Sequence, residues 1–103
     1  MSGIDSAAGA EMSCATRLRL LADDTRLAVV QQLIEGPKRV GQINELVGIE
    51  QSLLSHHLKV LRDAGLVESE RDGKAVLYRL APGVEVRRQG KAVNLGCCQL
   101  SFD

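Results

Sequence analysis

The chain has 103 residues, enough for one domain, and its formal charges balance to zero. Apolar residues make up 45% of the chain and aromatic residues only 2%, so the core must be built from Leu, Ile, Val and Ala. The sequence has no apolar run of the roughly 20 residues that a membrane span needs, and no N-terminal signal pattern. We therefore expect a cytoplasmic protein with no membrane contact. Its three cysteines would then be mostly reduced.

The N-terminal third predicts an arm followed by two helices. Residues 1–11 are rich in Ser, Gly and Ala and predict a flexible arm. Apolar residues at helical spacing predict a helix over 12–22. Asp23 and Asp24 provide a helix cap and negative charge for a second helix over 25–35, which Gly36 and Pro37 end.

Two further helices lie close together in the sequence. The apolar pattern predicts one helix over 40–47, ended by Gly48, and another over 51–64, ended by Gly65. Two short helices joined by a turn at a glycine are typical of a helix-turn-helix, in which the second helix enters the DNA major groove.

The pattern then changes to that of strands. Residues 66–70 predict one strand and 75–80 the return strand, with an Asp-Gly pair in the turn 71–74. We therefore predict a mainly α fold with a β-hairpin wing, a winged helix-turn-helix domain over 12–82. The tail, 83–103, carries glycines that argue against a long helix, and its spaced apolar residues suggest extended segments.

Polar and basic residues on the outer side of the fourth helix and at the wing are the candidate DNA contacts. The candidates are Gln51, Ser52, Ser55, His56, Lys59 and Arg62 on the helix, and Arg71 and Lys74 on the wing. Gln and Ser suit base edges, whereas Lys and Arg suit phosphates or the minor groove. His57 falls on the apolar side, where a hydrogen-bonded core role is expected. Lys38 and Arg39 could meet the DNA backbone from the other side.

Two other classes of function compete with DNA binding. The winged-helix fold also serves as a protein-interaction module, and steep salt dependence would separate the two. An enzyme is not expected, because the sequence has no Cys-x-x-Cys pair, no nucleophile-base arrangement and no Gly-rich phosphate loop.

Two blocks of sequence resemble the ArsR/SmtB family of winged helix-turn-helix transcriptional repressors. The first is Leu-Ala-Asp-Asp-Thr-Arg-Leu over 21–27, and the second is Ser-His-His-Leu-Lys-Val-Leu-Arg-Asp-Ala-Gly-Leu-Val over 55–67. Gly73-Lys74, followed by Tyr78-Arg79-Leu80, adds to the likeness. The resemblance implies a homodimer that binds a partly palindromic operator on double-stranded DNA. It also implies repression that a metal ion, a metalloid or an oxidant relieves.

This sequence departs from the family pattern in three places. Residues 39–41 are Arg-Val-Gly, where some members carry a Cys-x-Cys metal site. The tail lacks the histidines of the zinc site that other members build on a C-terminal helix, and the dimer interface which that helix usually forms is in doubt. Glu50 lies where Ser usually caps the recognition helix.

The cysteine pair in the tail resembles that of some arsenic-responsive family members. Thiolates are soft ligands that suit As(III), Cu(I), Cd(II) or Zn(II), and Cys14 could join Cys97 and Cys98 as a third ligand. In a strand the two neighbours would point to opposite faces, so both could hold one ion only if the chain bends, as Gly96 permits. We expect no obligatory cofactor. Metalloid or metal sensing, a redox or persulfide switch, and a bland role as small buried residues all stay open.

Overall fold

A computed structural model describes residues 13–102, with every side chain in that range except that of Arg88. Four helices come first: α1 over Cys14–Leu21, α2 over Asp24–Ile34, α3 over Val40–Val47 and α4 over Gln51–Asp63. The predicted helices over 25–35, 40–47 and 51–64 are confirmed to within one residue at each end. The predicted helix over 12–22 is confirmed for 14–21, while Met12 and the predicted arm lie outside the described residues.

Local side-chain caps explain where the first helices begin. Ser13 Oγ accepts a hydrogen bond from the Thr16 N–H at 3.2 Å before α1. Asp23 Oδ1 accepts from the N–H groups of Thr25 at 2.9 Å and Arg26 at 3.0 Å before α2. The Arg26 N–H, which favours the charged carboxylate, lowers the pKa of Asp23 below its ordinary value. The predicted cap at Asp23 is confirmed.

The wing is an antiparallel hairpin with a third, short strand beside it. The strands are β1 over Lys38–Arg39, β2 over Val67–Asp72 and β3 over Ala75–Leu80, in the order β1-β3-β2. Asp72 pairs with Ala75, so the loop contains only Gly73 and Lys74. The predicted turn over 71–74 is therefore too long. Gly73 takes φ 67° at the first loop position, as a type II′ turn requires, so Arg71 and Asp72 continue the strand.

The tail folds into a second antiparallel sheet. Its strands are β4 over Glu85–Arg87, β5 over Ala92–Asn94 and β6 over Gln99–Ser101, in the order β4-β5-β6, with a 3-10 turn over Arg88–Gly90. The expectation of extended segments instead of a long helix is confirmed within the described part of the tail. Strand β5 was not predicted, although Val93 on it is fully buried. Val93 belongs to the same core as the helices, so the tail packs onto the rest of the chain.

The helices bury narrower apolar stripes than their sequences predict. Ile43 on α3 and Leu54 on α4 are fully buried. Leu18, Leu46 and Leu53, three of the apolar residues whose spacing predicts these helices, are instead 40%, 58% and 46% exposed. The neighbouring elements therefore leave part of the apolar residues of each helix uncovered. No helix within residues 13–102 is long and apolar enough to cross a membrane.

Candidate nucleic-acid interface and thiol cluster

Helix α4 separates its polar and apolar residues into two faces. The six candidate contacts on this helix are all exposed: Gln51, Ser52, Ser55, His56, Lys59 and Arg62. Leu54, Leu58 and Leu61 are at most 1% exposed on the opposite face. The core contacts of these leucines fix the rotation of the helix, and this rotation presents the polar face to solvent.

His57 is a core residue with a defined partner. Arg26 Nε donates a hydrogen bond to His57 Nδ1 at 3.0 Å, and Arg26 Nη1 donates to the carbonyl oxygen of Leu20 at 3.2 Å. The sequence-based expectation of a hydrogen-bonded core histidine is confirmed. Arg26 itself was missed, because nothing in the spacing indicates a contact with a residue 31 positions later.

An open groove of about 670 Å³ lies between α3, α4 and the wing. Gln51 and Ser55 line it from α4, Lys74 lines it from the wing, and Gln42 lines it from α3. Arg39 on β1 lines it too, so four residues that the sequence nominated, from three parts of the chain, border one concave surface. Gln42 was not predicted, and its Oε1 accepts the Arg39 N–H at 2.8 Å, which fixes the start of α3.

The two cations predicted on the wing are unpaired. Arg71 and Lys74 are exposed and make no ion pair among residues 13–102. Two acidic residues of the same hairpin, Glu68 and Glu70, are both held by Arg79. The carboxylate of Glu70, and to a lesser degree that of Glu68, raises the pKa of Arg79 above its ordinary value. The wing therefore presents two cations that have no carboxylate partner among the described residues, while these two carboxylates share one guanidinium.

Three of the other candidate cations have carboxylate partners. Lys38 pairs with Glu35 at 3.1 Å, Arg39 with Asp72 at 2.9 Å, and Lys59 with Asp63 at 2.8 Å. The hydrogen bond from Lys59 lowers the pKa of Asp63 below its ordinary value. Exposed pairs of this kind contribute about 0–1 kcal/mol, so a phosphate can replace such a carboxylate at small cost.

The start of α4 lacks a side-chain cap. Glu50 occupies the capping position, and its side chain makes no capping hydrogen bond. This agrees with the expectation of a weak cap and leaves an exposed carboxylate next to Gln51. Any anion that approaches the N-terminus of α4 meets the charge of Glu50 first.

The three cysteines lie together in the structure, although Cys14 is 83 residues away from Cys97 in the sequence. Cys14 and Cys97 form a disulfide, and Cys98 is free. Cys98 Sγ lies 3.5 Å from Cys14 Sγ and 4.0 Å from Cys97 Sγ. The expectation of three reduced thiols therefore does not match this structure, because the fold brings two of the sulfurs within bonding distance. We call these three residues the thiol cluster.

A tight loop explains why the sulfurs of the adjacent residues Cys97 and Cys98 can both lie near Cys14. Cys97 and Cys98 lie between β5 and β6 rather than on a strand, and Gly96 turns the chain with φ 95°. The Leu95 N–H donates to the Cys98 carbonyl oxygen at 2.8 Å and closes the loop. The alternation of a strand therefore does not apply here. Cys98 is half-buried and packs against the hydrophobic core.

The sulfur spacing suits a soft ion once the disulfide is reduced. Metal–thiolate bonds are about 2.3 Å long for zinc, so two ligands of one ion lie at most about 4.6 Å apart. The three ligand atoms all lie within 4.8 Å of one another, and the distances from Cys98 to its two neighbours are below that limit. In the disulfide form, however, only Cys98 offers a free thiol.

The four helices, the hairpin and the polar face of α4 together define a winged helix-turn-helix protein. Residues 23–69 match the family described as "Bacterial regulatory protein, arsR family". The chain is also 35% identical over 85 residues to the biofilm growth-associated repressor of Xylella fastidiosa and spans 75% of its length. The chain therefore belongs to the ArsR family of bacterial regulatory proteins, and the resemblance seen in the sequence is confirmed.

Two further relatives place the chain within this family. It is 43% identical over 77 residues to the HTH-type transcriptional regulator NmtR of Mycobacterium tuberculosis, covering 75% of this chain and 62% of NmtR. The crystal structure of the repressor BigR from Xylella fastidiosa matches with a TM-score of 0.63 and 40% identity, over 67% of this chain and 70% of BigR. The chain thus spans less than two thirds of the length of NmtR. The names of these relatives describe regulators and repressors, in keeping with the expectation that this chain is not an enzyme.

Proposed function

We propose that this chain is a DNA-binding transcriptional repressor whose α4 is the recognition helix. The groove between α3, α4 and the wing carries the proposal, because Gln51, Ser55 and Lys74 all line it. Gln can make paired hydrogen bonds to adenine, and Ser can bond several base edges. Ser52 and His56 extend the same base-reading surface.

The remaining cations serve the phosphate backbone in this proposal. Lys59 and Arg62 lie later on α4 and Arg71 lies on the wing, all three exposed, and Lys74 lines the groove from the wing. Contacts with phosphate position a protein on DNA without reading its sequence. Lys59 exchanges its partner Asp63 for a phosphate on binding.

We further propose a homodimer on a partly palindromic operator. Leu18 on α1 and Val86 on β4 are 40% and 44% exposed, and in this proposal a second copy of the chain covers them. Two recognition helices related by twofold symmetry would enter major grooves about one turn of DNA apart.

The thiol cluster is the proposed sensor. Reduced Cys14, Cys97 and Cys98 supply three soft ligands, which suit As(III) or a comparable metal ion, and ligand binding releases the repressor from DNA. A tenfold loss of DNA affinity needs only about 1.4 kcal/mol of differential binding. The ligand is regulatory, and the fold does not depend on it.

A redox switch is the second candidate for the same cluster, and the Cys14–Cys97 disulfide favours it. In this case a peroxide takes two electrons from the two thiols and is reduced to water, while the sulfurs join. Cys98, 3.5 Å from Cys14 Sγ, can then exchange with that disulfide.

Fluorescence anisotropy with labelled DNA from the chain's own promoter tests the DNA-binding proposal. Gln51→Ala should weaken binding to promoter DNA by about 5- to 150-fold and leave binding to unrelated DNA unchanged. Lys91→Ala, an exposed cation on the tail, is the control and should change neither. Equal binding of both DNAs by the unaltered chain would contradict sequence-specific recognition. A lack of salt-dependent binding would favour a protein-interaction module instead.

The sensor proposal is tested with the double variant Cys97→Ser/Cys98→Ser. This variant should bind promoter DNA as the unaltered chain does and should lose the response to arsenite and to oxidant. A double variant that still responds would show that the cluster is not the sensor.

A further inference from the structure

Arg17 occupies an unusual position for an arginine on an eight-residue surface helix. Its Nη1 donates a hydrogen bond to the carbonyl oxygen of Leu95 at 2.9 Å. Its Nε is buried and has no hydrogen-bond partner within residues 13–102. Arg17 also makes no ion pair within that range. A guanidinium is costly to bury without compensating partners, so the burial of Arg17 Nε needs a structural reason.

One side of Arg17 is attached to the thiol cluster by two routes. Arg17 follows Cys14 by one turn of α1. Leu95, which accepts its hydrogen bond, is 1% exposed and also closes the cysteine loop through its N–H bond to Cys98. The Cys14–Cys97 bond therefore connects the helix that carries Arg17 with the loop that Arg17 holds.

The other side of Arg17 faces the end of the recognition helix. Arg17 Nη2 lies 3.8 Å from the point where a side chain on Gly65 would begin. Gly65 follows α4, and its N–H bonds the Arg62 carbonyl at 2.9 Å in the helix-ending turn. The C-terminal end of a helix carries partial negative charge, which favours a nearby cation. The end of α4 thus lies beside a guanidinium that no carboxylate in the described residues balances.

We propose that Arg17 is the positioning residue that couples the thiol cluster to the recognition helix. The inference rests on the proposed function for its biological meaning, although the physical link can be measured without DNA. When the cysteine loop moves, the Leu95 carbonyl carries the guanidinium with it. The interaction of the guanidinium with the end of α4 then changes, and so do the hydrogen bonds of the turn at 65–66.

Amide hydrogen exchange of Gly65 and Leu66, followed by NMR, tests this link directly. Both N–H groups bond carbonyls of α4, at 2.9 Å and 3.0 Å. In the unaltered chain, their exchange rates should differ between the disulfide form and the fully reduced form by at least about fivefold, the lower range of typical coupling between sites. In Arg17→Met, which keeps the length of the side chain but removes its charge and hydrogen bonds, the difference should fall below about twofold.

Arg19→Met is the matched control, because Arg19 is an exposed arginine on the same helix. It should keep the full difference between the two thiol states. If Arg17→Met does not fold, Arg17→Lys replaces it: the single ammonium of Lys cannot bond Leu95 and face Gly65 at the same time, so the difference should again fall. A merely structural role would shift the exchange rates of both thiol states together and leave their ratio unchanged.

The possible outcomes separate this inference from the proposed function. Two results would overturn the role of Arg17. Either the exchange rates differ between the disulfide form and the reduced form in the Arg17 variants as much as in the unaltered chain, or they do not differ in the unaltered chain at all. If exchange depends on the thiol state through Arg17 but promoter binding does not, the Arg17 link stands and the proposed thiol regulation is wrong. If promoter binding responds and the Arg17 variants respond equally, regulation stands and Arg17 is not its route.

Discussion

Arg26 and His57 join two helices through one hydrogen bond, from Arg26 Nε to His57 Nδ1 at 3.0 Å. In this bond Arg26 Nε is the donor and His57 Nδ1 is the acceptor. Because Arg26 also bonds the Leu20 carbonyl at the end of α1, it connects α1, α2 and α4. His57 is only 7% exposed, so water has little access to this hydrogen bond.

Replacing His57 by Ala should therefore destabilise the fold. The change leaves Arg26 Nε without its acceptor and opens a cavity in the core, and an unsatisfied buried group alone costs about 1–3 kcal/mol. Urea unfolding at fixed protein concentration measures the effect. His56→Ala is the control, since His56 is exposed, and it should stay within about 0.5 kcal/mol of the unaltered chain. Equal effects of the two variants would argue against the role of the Arg26–His57 bond.

The cap at Asp23 predicts an acid dependence of stability. The pKa of Asp23 is lowered in the folded chain by its hydrogen bond from the Arg26 N–H. The stabilisation is therefore fully present above the ordinary pKa of an aspartate, and it is lost as the pH falls through the lowered value. Asp23→Ala should cost about 0.5–2 kcal/mol at neutral pH.

Urea unfolding between pH 7 and strongly acidic pH tests this dependence. The free-energy difference between Asp23→Ala and the unaltered chain should shrink below the ordinary aspartate pKa of about 3.9. Asp24→Ala, at an exposed neighbour outside the cap, should show a smaller difference at neutral pH. A difference for Asp23→Ala that stays constant down to acidic pH would rule out the charged cap.

The unpaired cations of the wing predict a change in salt dependence. Lys74→Ala should weaken binding to promoter and unrelated DNA alike, and should reduce the slope of log affinity against log salt by about 1. The anisotropy titration is repeated at several salt concentrations. Lys91→Ala should leave the slope unchanged, and an unchanged slope for Lys74→Ala would remove the wing from the phosphate contacts.

The disulfide predicts that oxidation and arsenite exclude each other. In the disulfide form only Cys98 has a free thiol, so one As(III) should bind each reduced chain and none should bind each oxidised chain. Native mass spectrometry counts the bound arsenic, and Cys14→Ser should weaken binding by removing the third sulfur. Prior arsenite loading should also slow formation of the disulfide by peroxide. Equal arsenic binding by both forms would contradict a site made of these three sulfurs.

The bounds of helices and strands were predicted best where local sequence signals and tertiary packing agree. Helix α3 has the predicted bounds because Gly48 takes the left-handed conformation that ends it, with φ 70°. The hairpin followed from its alternation and its glycine, but the register did not, because either Asp72-Gly73 or Gly73-Lys74 could occupy a two-residue loop. The exposure of Leu46 and Leu53 could not be predicted, because the apolar periodicity of one helix does not reveal how much of its surface the neighbouring elements cover.

The sequence identified the three cysteines as candidate ligands by residue type, but it could not predict that they lie in contact. The contact between Cys14 and the tail depends on how β5 packs onto the core, and this strand has only three residues. Arg17 gave no signal, because an arginine on a short exposed helix normally reaches solvent. Its role follows only from the position of Leu95 and Gly65, which are distant from it in the chain.

In the proposed function, the thiol cluster governs DNA binding by α4. Anisotropy of the fully reduced protein on its own promoter DNA, at fixed salt and with or without one equivalent of arsenite, is the decisive measurement. We expect tight binding without arsenite, and at least about a tenfold loss of affinity with it, which corresponds to about 1.4 kcal/mol. Tight binding that neither arsenite nor oxidation to the disulfide changes would contradict the claim.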